Sequence, residues 1–121
     1  MNAICAEHEL ESVLRWSDAK LQDADSTEIS RHTRIEAAYD SIYARLLVQA
    51  RRAGHPVPSG HPCERVILQG AVAAGLSDCW LEEALELSLS VAGHRHSPSV
   101  HSVSLPQALA LGRHLERLLK G

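Results

Sequence analysis

The stretch RIEAAYDSIYARLLVQA (residues 34–50) decides the fold class, because its apolar side chains recur at the spacing of an α-helix. They form one broad apolar face, made of Ile35, Tyr39, Ile42, Tyr43, Leu46, Leu47 and Ala50. Upstream, Asp25 with Glu28 has the form of a capping box, and downstream Gly54 is suited to end the helix in a left-handed conformation. At about 1.5 Å per residue such a helix would span roughly 40 Å, a length typical of helical bundles.

Two further helices are predicted on either side of this one. The first runs from Glu7 to about Asp23 and has a narrow apolar stripe opposite a strongly acidic face. We therefore expect it to pack on the surface of the domain or against a partner. The other runs from Cys63 to about Ala74, after a loop rich in Pro and Gly, and Gly75 should end it. Its small residues would let a neighbouring helix approach closely, so we expect it to be buried.

The carboxyl-terminal part of the chain predicts two more helices. Ser77 or Asp78 caps the fourth, which carries two adjacent apolar stripes over most of its circumference. Gly93 should stop this helix. Ser104 with Gln107 forms a second capping box at the start of the last helix, which is rich in leucine.

No stretch alternates apolar and polar residues for long enough to predict a strand. Helices joined by short loops predict an all-α fold, an up-and-down antiparallel helical bundle of about five helices with a four-helix core. The 121 residues fit a single domain. Within it we distinguish an acidic amino-terminal helix, residues 1–25, from the core, residues 26–121.

Charge and composition argue against several classes of function. Twelve Lys and Arg against fifteen Asp and Glu give a net charge of -3, without the basic surplus of a protein that coats nucleic acid. The three cysteines form no CxxC or CxxH spacing, which argues against a disulfide scaffold or zinc finger and favours a reducing compartment. No apolar run reaches the roughly 18–20 residues that span a membrane, and no secretory signal is visible. We therefore expect a cytoplasmic protein with no membrane partner.

The segment GHRHSPSVHS (residues 93–102) carries the candidate chemistry. Arginine holds phosphate through a planar fork of donors, and histidine exchanges protons near neutral pH. Arg95 would hold a phosphodiester together with amides at a helix terminus, and His101 would move the proton of a ribose 2′-hydroxyl. The alternative is a polar loop whose histidines face water.

Two other interpretations concern histidine and tyrosine side chains. A zinc-like site would combine histidines of this segment with side chains from the Pro- and Gly-rich loop, the ligands being His94, His96, His101, His55, His61 and Cys63. No recognised ligand spacing supports it, so we predict no bound metal. Tyr39 and Tyr43 lie one turn apart on the apolar face of the long helix and are most simply core residues, with a ligand role as the alternative.

Several of these features follow one another in a familiar order. A long helix containing Arg34-Ile-Glu-Ala-Ala-Tyr-Asp-Ser-Ile-Tyr43 precedes a Gly- and Pro-rich loop, and Gly60-His61 opens the next helix. A leucine-rich helix and an Arg-containing loop then lead to the last helix. Over roughly residues 30–120 this order resembles the HEPN superfamily (higher eukaryotes and prokaryotes nucleotide-binding), whose members form up-and-down helical bundles.

The resemblance implies a function. Many members are metal-independent endoribonucleases marked by an Arg, a polar residue and a His a few positions later, and Arg95, His96 and His101 match this pattern. It implies a catalytic role for these three residues, an RNA or nucleotide ligand, no cofactor, and a homodimer whose active site forms between protomers. Such members often act as toxins paired with a nucleotidyltransferase-like antitoxin. Other members bind without cutting, so the alternative is a non-catalytic module that binds a nucleotide or a protein.

Overall fold

The computed structural model describes residues 3–56, 64–96 and 103–120, and it places side chains for residues 7–56, 64–92 and 103–119. These residues form five α-helices, which are α1 (Ala3–Asp25), α2 (Arg31–Arg52), α3 (Glu64–Ala74), α4 (Asp78–His96) and α5 (Leu105–Lys120). Within the described ranges there is no strand, and the predicted all-α helical bundle is confirmed. No helix in this part of the chain is long and apolar enough to cross a membrane.

Helix α2 lies at the centre of the bundle and packs against each of the other four helices. Its predicted apolar face is buried, with Ile35, Ile42 and Leu46 almost completely shielded from solvent. The side of α2 that carries Ser41 and Arg45 is buried as well. The helix has 22 residues, so it spans roughly 33 Å rather than the predicted 40 Å. Because α2 is enclosed on most sides, it acts as the scaffold on which the other helices are placed.

Helix α1 packs antiparallel along α2. The Ser17 hydroxyl donates a hydrogen bond to the Ser41 carbonyl at 2.8 Å, and the two serine hydroxyl oxygens lie 2.9 Å apart in a fully buried contact. Leu10 and Ala24 are buried towards the two ends of the same contact. The helix predicted to lie on the surface therefore contributes one face to the core, while its opposite, acidic face is exposed.

The junction between α1 and α2 differs from the sequence prediction. Asp25 and Glu28 do not form a capping box, because α1 continues to Asp25 and α2 begins at Arg31 with Ser30 at its N-cap. The partners that a capping box needs are engaged elsewhere: the Asp25 carboxylate accepts from Arg113 of α5 at 2.6 Å, and the Glu28 amide donates to Ser26 Oγ at 3.4 Å. In addition, the Arg34 Nε donates a hydrogen bond to the Ala24 carbonyl at 2.9 Å, which satisfies a carbonyl in the last turn of α1. At the other end of α2 the prediction is confirmed, since Gly54 has a φ of 95°.

Helix α3 crosses α2 at very short range. A Cβ atom added to Gly70 would lie 2.2 Å from the Leu46 carbonyl oxygen, so the two backbones touch where the side chain is missing. The predicted close approach is thus confirmed, and Gly75 ends α3 with a φ of 72°. The expectation that α3 is buried holds for one face only, because Leu68 and Val72 on the other face are exposed.

Helices α4 and α5 complete the bundle. The predicted end of α4 at Gly93 is wrong, because α4 continues through Gly93 to His96. A glycine inside a helix costs only about 1 kcal/mol relative to alanine, which neighbouring turns can offset. The predicted capping box of α5 is confirmed by two reciprocal bonds: the Ser104 amide donates to Gln107 Oε1 at 2.9 Å, and the Gln107 amide donates to Ser104 Oγ at 3.3 Å.

Candidate functional site

The three residues predicted to carry catalysis lie at and beyond the end of α4. Arg95 and His96 belong to its last turn, as backbone positions whose side chains are outside the described set. His101 lies outside the described residues. The convergence of Arg95 and His101 on one phosphodiester therefore stays a prediction, as does the catalytic role of His96.

Most ligands of the zinc-like alternative also lie outside the set of placed side chains. His94 lies in the last turn of α4, His55 follows α2 and is half-buried, and His61 and Cys63 lie outside the described residues. Among the side chains that the structure places, no group of three or more His, Cys, Asp or Glu residues is arranged to hold a metal ion.

The tyrosine pair belongs to the core. Tyr39 is buried in the apolar cluster, Tyr43 packs against that cluster, and the two ring centroids lie 6.0 Å apart. The Tyr39 hydroxyl lies 3.2 Å from Ser88 Oγ, so α2 and α4 are joined by a hydrogen bond at the edge of the core. The simpler interpretation of this pair, as core residues, is confirmed for Tyr39.

An apolar surface is formed where α3 and α4 lie side by side. A small pocket of about 60 Å³ is lined by Glu64 at the start of α3 and by Leu85, Ser88 and Leu89 of α4. The first turn of α3 therefore adjoins the middle of α4. We call the depression between the two helices the α3–α4 groove and define it by these four residues and the two apolar rows that continue from them.

Each helix contributes one row to the α3–α4 groove. Leu68 and Val72 follow Glu64 at steps of four residues, and Leu81 precedes Leu85 and Leu89 at the same steps. Residues four apart lie one above the other on a helix face, so the leucine row of α4 extends for about 12 Å and the apolar pair of α3 for about 6 Å. Val72 is 80% exposed, Leu89 73% and Leu68 41%, although all three side chains are apolar.

The rim of the α3–α4 groove is acidic. Glu82 and Glu86 are exposed on α4, and helical geometry puts them beside Leu85 and Leu89 on the side away from α3. Glu64 stands at one end of the groove. Among the side chains that the structure places, Arg65, exposed on α3, is the one basic residue that helical spacing brings to the same surface.

A second, polar cleft lies between α1 and α5. It has a volume of about 300 Å³ and is lined by Asp18, Leu21, Gln22, Asp25, Arg113 and Glu116. Arg45 of α2 forms an ion pair with Asp18, and its Nη2 also lies 3.9 Å from Glu116 Oε2. The Arg113 guanidinium donates to Asp25 at 2.6 Å. These pairs join α1, α2 and α5, so we assign the charges of this cleft to holding the bundle together.

Sequence reasoning did not single out the α3–α4 groove, although one signal for it was visible. The fourth helix carries two adjacent apolar stripes, of which Ala84, Leu87 and Val91 are buried in the core while Leu89 is left outside it. Comparison with known proteins adds no identification: no family model matches the chain, and no match was found among curated proteins or solved structures. The assignment of function therefore rests on the residues described above.

Proposed function

We propose that this protein is a non-catalytic helical module that binds a protein partner through the α3–α4 groove. The observation that carries the proposal is the exposure of Val72 on α3 and of Leu89 on the neighbouring α4, at 80% and 73%. Burying a Val or Leu side chain is worth about 1.5–3 kcal/mol. Several apolar side chains that stay exposed on adjoining helices, here Leu68, Val72 and Leu89, are typical of a protein-protein interaction site.

The disposition of charge supports a protein partner over a nucleic acid. The chain has a net charge of -3, and several of its described arginines are engaged within the bundle. They donate to acidic side chains, a serine or a backbone carbonyl, and are Arg15, Arg34, Arg45, Arg52 and Arg113. A carboxylate partner, as for Arg45, Arg52 and Arg113, offsets the positive charge that would otherwise attract a phosphate group.

The proposal is tested by co-purification with a matched pair of variants. Val72→Ser together with Leu89→Ser makes the groove polar without touching the buried core, whereas Trp16→Ser changes an exposed apolar residue on α1. A partner captured from the native cells, and then rebound as a purified protein, should bind the unmodified chain and the Trp16 variant equally. It should bind the groove variant at least tenfold more weakly. Equal binding to all three would refute the proposal.

The second candidate is a metal-independent endoribonuclease of the toxin type. The observation that favours it is the continuation of α4 through Gly93, because Arg95 and His96 then lie on a helix end rather than in a loop. A helix fixes the backbone of a catalytic residue more firmly than a loop does. In this proposal Arg95 holds the scissile phosphate, His101 moves the 2′-hydroxyl proton, and His96 supports them.

In this second proposal the protein forms a homodimer whose two protomers share an active site. Its partner protein would be a nucleotidyltransferase-like antitoxin. Purified protein should cleave an end-labelled RNA pool in EDTA and leave cyclic phosphate ends. Arg95→Ala and His101→Ala should lose the activity, while His8→Ala, an exposed histidine on α1, should keep it. Sedimentation velocity gives the oligomeric state. A lack of cleavage at high protein concentration would dismiss the enzyme and leave the binding module.

A further inference from the structure

We propose that the α3–α4 groove binds an amphipathic helix whose apolar stripe is flanked by Lys or Arg. This inference rests on the proposed function and names the chemistry of its partner. Two helices lying side by side leave a trough into which a third helix fits, and this is a recurring mode of peptide recognition. The leucine row of α4, about 12 Å long, matches a ligand helix with apolar residues at i, i+3 or i+4, and i+7.

The basic flanks follow from the rim. Glu82 and Glu86 border the groove on the α4 side and Glu64 closes one end, against a single Arg65 on the α3 side. A ligand helix with Lys or Arg beside its apolar stripe brings opposite charges to three carboxylates. Charge complementarity at a rim selects the partner and speeds association more than it adds affinity.

The same charges argue against a second copy of this chain as the occupant. Pairing two identical surfaces would bring Glu64, Glu82 and Glu86 of each copy into one interface, with only Arg65 of each to offset them. Like charges at an interface disfavour pairing. A phosphate-bearing ligand such as RNA would meet the same carboxylates. Neither occupant uses the charges that surround the apolar rows, whereas a basic amphipathic helix does.

The test uses two synthetic helical peptides with the same leucine stripe. One carries Lys at the flanking positions and the other carries Glu, and binding to the purified full chain is measured by fluorescence anisotropy. The Lys peptide should bind at least tenfold more tightly than the Glu peptide, and the difference should shrink as salt is raised. Val72→Ser with Leu89→Ser should weaken the Lys peptide at least tenfold.

Charge variants separate recognition at the rim from general attraction to an acidic protein. Glu82→Lys with Glu86→Lys should reverse the preference between the two peptides. The matched control, Glu9→Lys with Glu11→Lys on the exposed face of α1, should leave it unchanged although it alters the net charge equally. Circular dichroism checks that each variant is folded. If the variant with Val72→Ser and Leu89→Ser unfolds, the charge variants still test which peptide the groove prefers.

The outcomes distinguish this inference from the proposed function. Equal binding of both peptides, or an equal response to the two charge variants, would overturn the basic-helix inference and leave the groove as a docking site. Failure of both peptides to bind would also overturn it. If the groove substitutions also leave capture of the native partner unchanged, both the basic-helix inference and the proposed function are refuted. Self-association abolished by the groove substitutions would establish a second copy as the occupant instead.

Discussion

Gly70 sets the distance between α2 and α3, so Gly70→Ala should destabilise the fold even though alanine is the better helix former. The added Cβ would lie 2.2 Å from the Leu46 carbonyl oxygen and within 2.8 Å of two further backbone atoms of the same residue. Ordinary van der Waals contact begins about 1 Å further out, and backbone atoms cannot rotate away as a side chain does. The two helices must therefore separate.

The magnitude follows from two opposing effects. Replacing a glycine inside a helix by alanine gains about 1 kcal/mol. Overpacking a close contact costs typically about 1–3 kcal/mol and occasionally more, and a backbone-to-backbone clash belongs at the upper end. We expect a net loss of about 2 kcal/mol in the free energy of unfolding, which for a domain of this size lowers Tm by roughly 6–10 °C.

Gly112→Ala is the matched control, because its added Cβ would meet the flexible end of the Leu21 side chain at 2.9 Å. That methyl group can shift, so the helix-propensity gain of about 1 kcal/mol should offset most of the cost. Urea unfolding of both variants, followed by far-ultraviolet circular dichroism, gives the two free energies. If Gly70→Ala is as stable as Gly112→Ala, the close contact between α2 and α3 is not what the geometry indicates.

Two further predictions concern polar contacts between helices. Asp18→Ala should lower the free energy of unfolding by about 2–3 kcal/mol, because the side chain of its partner Arg45 is only 4% exposed. The buried guanidinium would stay charged, and the remaining acid, Glu116, lies 3.9 Å away. Asp25→Ala should cost less than about 1 kcal/mol, because its partner is 43% exposed and screened by water; equal losses in urea unfolding would contradict this contrast. Ser17→Ala should cost about 1–2 kcal/mol, because the buried Ser41 hydroxyl would lose its hydrogen bond. Replacing both serines by alanine should cost no more than the single change, and a double-mutant cycle measures the difference.

Local signals predicted the parts of the fold that are decided locally. The apolar face of α2 is buried as its periodicity predicts, because large apolar side chains on one face of a helix are removed from water when that face packs on the core. Gly54 and Gly75 adopt the left-handed conformation that other residues avoid, and the Ser104–Gln107 box closes with residues three apart. Each of these features depends on a few neighbouring residues, so the sequence pattern was enough.

The features that the sequence did not predict depend on contacts between distant residues. Arg45 carries a charge yet is nearly as buried as the leucine beside it, because Asp18 lies 27 residues away in the chain and adjacent in the fold. The Asp25 carboxylate likewise pairs with Arg113, 88 residues away in the chain, a contact that no capping motif reveals. At Gly93 a local signal gave a wrong prediction, because glycine predicts a helix end and α4 continues past it to His96.

The candidate site is an apolar surface that the helices of the bundle leave uncovered. Helix α4 carries apolar residues around most of its circumference, and such a helix is either enclosed on all sides or has a partner. Its neighbours α2, α3 and α5 cover Ala84, Leu87 and Val91, but Leu89 is 73% exposed, so the bundle does not enclose it. Val72 of the neighbouring α3 is 80% exposed and Glu82 and Glu86 border Leu89, a combination that a basic amphipathic helix would cover.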